Sequence, residues 1–155
     1  MQSAIEHAVE AWLQEFRATH GEPYVFALIS DEGLINVRPA ANTAARIRAS
    51  NVGRWNRDAW IVHSPGAEFA GISQSLKIDA WNPDFTRFRE RVYTSMLLAI
   101  TSCAKRGVFG RRGRGGMTLL VSVDGLAEAR TLERRSAKLL NKKGEANSFL
   151  ADLAG

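Results

Sequence analysis

A single cysteine, Cys103, occurs in the chain. It cannot close an internal disulfide, so a reducing compartment is expected, most simply a cytosol. Long apolar runs are missing as well. Runs such as residues 96–100 fall far below the roughly 20 residues that a helix needs to cross a bilayer. The first sixteen residues, MQSAIEHAVEAWLQEF, carry acids where a secretory leader has basic residues. The expectation is a cytoplasmic protein without a membrane partner. Histidine is scarce: His7, His20 and His63 are far apart, and one cysteine adds little to a zinc set. No Gly-x-Ser-x-Gly elbow is present, and no glycine-rich segment ends in the Gly-Lys-Ser/Thr of a phosphate-cradling loop. Asp31, Glu32, Asp58, Asp79, Asp84 and Asp124 mostly fall at turns and helix starts, where capping accounts for them. The sequence therefore supplies no catalytic residue, metal set or cofactor motif, and supports a binding function better than an enzymatic one.

One segment lacks acids altogether. Residues 105–116, KRGVFGRRGRGG, hold five basic side chains (Lys105, Arg106, Arg111, Arg112 and Arg114) and five glycines. The chain has 21 Lys+Arg against 16 Asp+Glu, so outside this segment the charges balance. A concentrated positive field selects negative partners such as an acidic protein surface or nucleic acid. Glycine lets a backbone approach phosphate closely, and guanidinium forks bind it bidentately. The plain alternative is a connector kept soluble by its charge. A second basic cluster, Arg54 and Arg57, is interleaved with Trp55 and Trp60. Aromatics beside arginines can stack bases, but tryptophans at a short capped turn also serve as core anchors, and Trp81 fits the same cluster. Cys103 falls on an apolar stripe and reads as an inert core residue, with Arg106 three positions on as its one nearby cation.

At 155 residues the chain is expected to form one domain over residues 1–155, burying roughly 68–70% of its unfolded surface. Ile5, Ala8, Val9, Trp12, Leu13 and Phe16 repeat with helical spacing, and Gly21 and Pro23 end that helix. Residues 24–30, apolar on both faces, read as a central strand. Residues 34–38 are predicted to return as its hairpin partner, stopped by Pro39. Asn42 or Thr43 caps a short helix through about residue 50, and Asn56 caps a turn carrying Trp60. Residues 61–80 are ambiguous between loop and short helix. Asn82-Pro83-Asp84 starts a helix running to about residue 106. Its inner stripe is Phe85, Phe88, Val92, Met96, Ile100 and Cys103, widened by Leu97, Leu98 and Ala99. A buried strand over residues 117–123 and helices over about 126–140 and 145–153 complete the order. The class is α+β: a small, mostly antiparallel sheet, one layer of strands covered by several helices.

Several motifs occur in one order: YVFALISDEG, NTAARI, RWNRDAW, KRGVFG, LLVSVDG and SAKLLN, followed by Phe149-Leu150. With them the chain resembles a bacterial family known as domain of unknown function 4303, over about residues 11–153. It departs from the family's pattern at Ala44-Ala45-Arg46, where acids are usual, and in the RRGRGG insertion. The resemblance implies small proteins encoded near polymorphic, contact-delivered toxins, where such proteins act as immunity factors. It implies a stoichiometric inhibitor whose loops vary to match the partner. With its positive charge the chain is expected to face a toxin with an acidic contact surface, through Arg106, Arg111, Arg112 and Arg114, with Arg54 and Arg57. A nucleic-acid-associated protein binding phosphate through the same loop is the alternative, and an enzyme of unknown type is a third.

Overall fold

Residues 23–30 carry apolar side chains to both sides of an extended chain, which suits them to the middle of a sheet. In the computed structural model, which describes residues 1–49, 53–61, 66–80, 84–110, 116–142 and 144–154, they form the central strand β1 (Pro23–Ser30). Strand β2 (Arg38–Thr43) pairs with it antiparallel on one side. Strand β3 (Thr118–Val123) pairs with it parallel on the other, giving the order β2-β1-β3. The architecture is α+β, as expected, and the small sheet is mixed, with one antiparallel and one parallel pair.

The helices are α1 (Gln2–His20), α2 (Ala44–Ala49), α3 (Gly66–Asp79), α4 (Phe85–Lys105), α5 (Ala129–Leu140) and α6 (Asn147–Asp152), with a short 3-10 turn at Arg57–Ala59. Alternation along β1 separates two cores. Phe26 and Leu28 face the larger one, filled by α1, α3 and α4. Val25, Ala27 and Ile29 face the smaller, built from Trp55, Trp60, Ala137 and Phe149. The six residues read as the inner face of α1 are its six buried residues. Among the described residues no helix is long and apolar enough to cross a membrane.

Four local expectations are corrected. The strand partner of β1 is not residues 34–38. Leu34 takes a left-handed backbone (φ 55°), which breaks extended pairing, and Leu34 and Val37 drop into the larger core instead. Pro39 does not stop the strand but lies within β2, opposite Leu28. Ala41, two residues on, turns its N–H and C=O outward to Ile61, so Pro39 also presents its nitrogen to the outer edge, where no ladder bond is lost. Phe85 and Leu98, assigned to the inner stripe of α4, are exposed, whereas Phe88, Val92, Met96, Ile100 and Cys103 are buried. The cap of α4 is Asp84, whose carboxylate accepts from the Arg87 N–H at 3.0 Å. Asn82, Pro83 and Trp81 lie outside the described residues. Within the ambiguous 61–80 stretch, α3 takes Phe69, Ile72 and Leu76 into the core.

Helix α5 begins three residues later than predicted and lies along the outer edge of β3. There Asn141 accepts from the Leu119 N–H and donates to the Leu119 carbonyl, both at 2.8 Å. Ser136 accepts from the Val121 N–H at 3.0 Å and donates toward its carbonyl at 2.9 Å. Two side chains thus stand in for a fourth strand and close an edge that would otherwise be open to pairing.

Candidate functional site

Arg57, on the 3-10 turn, reaches across the end of the sheet. Its guanidinium pairs with Asp124 at 2.9 Å and with Glu133 of α5 at 2.5 Å, and it donates to the Ser122 hydroxyl. Ser122 in turn donates to Glu133 at 2.5 Å. Arg38, at the start of β2, pairs with the other oxygen of Asp124 at 2.9 Å. The network sits at the carboxyl ends of the parallel strands β1 and β3, held there by the 2.7 Å bond from the Asp124 N–H to the Ser30 carbonyl. The Glu133 side chain is only 6% exposed. A carboxylate that enclosed persists because Arg57 and Ser122 satisfy it.

Above this floor lies a groove of about 560 Å³, walled by residues 55–57, by the start of α5 and by α6. Trp55, Leu126, Phe149 and Leu153 supply apolar wall, and Arg130 and Asp152 stand at its rim. The Arg54 guanidinium lies 4.3 Å from the Tyr24 ring centre and 5.3 Å from that of Trp55. Tyr24 donates to the Arg54 carbonyl at 2.5 Å, and Trp55 meets Phe149 edge-on at 5.3 Å. Burial pushes the pKa of the Tyr24 phenol up, making it a weaker acid, with the Arg54 charge opposing. Trp55 and Trp60 are both buried, so they anchor the smaller core and offer no open face for stacking bases.

Arg106 lies elsewhere. At the end of α4 it pairs with Glu6 at 2.5 Å and with Glu10, both on α1, and donates to the Ser102 hydroxyl at 2.7 Å. The hydrogen bond from Arg106 is the main cause holding the Glu6 carboxyl below its usual range; Gln2 and Ser102 add to it. The same carboxylates push the Arg106 guanidinium up. This clamp fixes the start of the basic segment. Arg17 adds a second, donating to the Val108 carbonyl at 2.9 Å while paired with Glu22, and Phe109 is buried beneath. Cys103 stands 3.6 Å from the Arg106 guanidinium, yet burial dominates and pushes its thiol up to about 11.

The structure therefore sets Arg57 in the groove on the smaller-core face of the sheet, Arg54 against the Tyr24 and Trp55 rings beside it, and Arg106 on the α1–α4 face. Arg111, Arg112 and Arg114 lie outside the described residues. Sequence reasoning missed Arg38, Ser122, Asp124 as an ion-pair partner, and Glu133. One signal for Glu133 existed: it shares its helix face with Ser136, Ala137 and Leu140, where an unpartnered acid would be costly. Among the described residues, no group of three or more His, Cys, Asp or Glu could hold a metal ion. A family model described as domain of unknown function (DUF4303) matches residues 1–142. No curated protein matches, and no solved structure does.

Proposed function

The chain belongs to the DUF4303 family, and we propose that it is a non-enzymatic binding protein, an immunity protein that neutralises a cognate bacterial toxin by direct complex formation. The observation that carries the binding half is the Arg54 stack. An exposed guanidinium is held in place by Tyr24 and Trp55, which are themselves locked by the Phe149 contact and the tyrosine hydrogen bond. Arginine and aromatic side chains dominate the binding energy of protein interfaces, and a side chain already ordered loses less entropy on docking. The acid–base groups nearest the groove floor support a passive role, because Arg57, Asp124 and Glu133 are spent on one another. The toxin half rests on what the resemblance to the family implies. A basic surface suits a toxin whose contacted face is acidic.

The test is complex formation with the product of the adjacent gene, measured by calorimetry at low micromolar concentration. Replacing Arg111, Arg112 and Arg114 together by Glu is expected to weaken the complex at least about tenfold with the circular dichroism spectrum unchanged, on the footing that each lost charge-assisted contact is worth about 1.5–3 kcal/mol. Absence of any complex would overturn the reading. If the protein instead bound phosphate backbone, a gel shift of DNA or RNA at 50 mM salt would fall by orders of magnitude on raising salt to about 200 mM. A protein complex with an apolar centre is expected to lose far less.

A further inference from the structure

We infer that the outer face of α5 is a separate binding site, one for the phosphate backbone of a nucleic-acid duplex, held without regard to base sequence. The site goes beyond the toxin-binding reading and uses none of the cations assigned to it. Arg130, Arg134, Arg135 and Lys138 lie exposed on this helix, with Lys142 just past its end. None of the five makes an ion pair with a carboxylate among the described residues. The one acid within α5, Glu133, is buried and satisfied by Arg57 and Ser122. The helix therefore shows solvent an excess of cations that its own residues do not neutralise, and such a field selects anions.

Arg130, Arg134 and Lys138 stand four residues apart on successive turns, so they form a row about 12 Å long. That length covers about three or four phosphates of one strand, and Arg135 widens the row. The row is also stiff. Ser136 and Asn141 tie the helix to β3, and Arg134 donates to the Leu153 carbonyl at 3.4 Å. Asp152 in α6, Glu145 just before it and Glu128 ahead of α5 flank the row without an ion pair to it. They disfavour an anion between the two helices and leave Arg134, Arg135 and Lys138 as the centre of the footprint. Other partners fit this face less well. A bilayer takes up the apolar side of a helix, and in α5 that side, with Ala137 and Leu140, is buried. Single strands stack on exposed rings, and α5 has no aromatic residue. A protein interface has an apolar centre depleted of lysine, whereas Leu139 is the one large apolar side chain exposed on α5.

The probe is a fluorescein-labelled DNA duplex of about 20 base pairs, titrated with the full chain and read by fluorescence anisotropy from about 50 to about 200 mM salt. With four phosphate contacts the affinity is expected to fall roughly 150-fold over that range, a log–log slope of about −3.6. Changing Arg134→Gln, Arg135→Gln and Lys138→Gln together is expected to bring the slope to about −0.9 and to weaken binding at low salt at least about tenfold. Arg46→Gln, Arg48→Gln and Lys77→Gln make the same charge change at exposed positions off α5 that have no ion pair among the described residues. They are expected to move the slope by less than about 0.9. Circular dichroism checks the fold of both variants, and in the unaltered chain the duplex is expected to shift the backbone amides of residues 130–139 by NMR. No binding, equal losses in the two triple variants, or amide shifts confined to other elements would overturn the inference. So would tighter binding of a single strand, of phosphatidylserine vesicles or of poly-glutamate at equal charge concentration. A toxin complex without duplex binding removes this site and keeps the proposed function. Duplex binding on α5 without a toxin complex does the reverse.

Discussion

Arg57 is the residue on which the smaller core closes. It ties the 3-10 turn to the end of β3 and to α5 through Asp124, Ser122 and Glu133. Removing it strands a carboxylate that is almost fully enclosed. Arg57→Ala is expected to cost about 2–3 kcal/mol in urea denaturation, below the 3–5 kcal/mol of a fully enclosed pair because the arginine keeps a third of its surface in water. Adding Glu133→Gln is expected to restore part of the loss, since the stranded charge disappears; a double variant less stable than the single one would contradict the brace. Cys103 illustrates a second contest between neighbours. Arg106 favours its thiolate, but burial outweighs that and the thiol titrates near 11 instead of its usual 9. In the folded chain at pH 8 the thiolate is then about a hundredfold rarer than in the unfolded chain. Alkylation by iodoacetamide, read by mass spectrometry, is expected to be slower by at least that factor until the protein is denatured. Because the folded value is the higher, this thiol's contribution to stability is present below pH 9 and is lost as pH rises through about 11.

Among the elements, α5 has the most specific task. It does not pack flat on the sheet but runs beside β3 and satisfies the strand's outer amides with Ser136 and Asn141. These are the first and last residues of the SAKLLN stretch, so its polar positions have a physical role. Asn141→Ala leaves the N–H and C=O of Leu119 without their partners and also removes a bond to the Ala137 carbonyl. The expected cost is about 1–3 kcal/mol by chemical denaturation, with faster hydrogen exchange at the Leu119 amide. A neutral result with unchanged exchange would mean that the edge is satisfied in another way. In α4 the same helical period divides differently from expectation. Phe88 is buried and Phe85 is half exposed, lying under the Arg89 guanidinium at 5.8 Å.

Across the whole molecule, the arginines that composition draws together do not form one patch. Arg106 serves as a clamp between α4 and α1, and Arg57 as a brace across the sheet end. Arg54 is the candidate of these three whose guanidinium is both exposed and without a carboxylate partner among the described residues. The division of labour predicts a division of phenotypes. Arg106→Ala and Arg57→Ala are expected to lower the thermal midpoint, while Arg54→Ala is expected to leave it within about 2 °C, as a surface change does, and to weaken partner binding. Equal thermal losses in all three variants, seen by calorimetry, would show Arg54 to be structural as well.

Periodicity and turn chemistry were enough to read the inner face of α1, the strands β1 and β3, and the buried part of α4, because each depends on local spacing against an apolar core. The α+β class and the family followed from the order of these pieces. What spacing along the chain could not reveal was pairing between distant residues. Whether Pro39 ends a strand or edges one depends on which side of β2 its nitrogen faces. Whether Arg57 is a free cation or a brace depends on Glu133, 76 residues away. Electrostatic and hydrogen-bond partners are chosen by distance in space, so only the folded chain separates the arginines that hold it together from those that it presents to a partner.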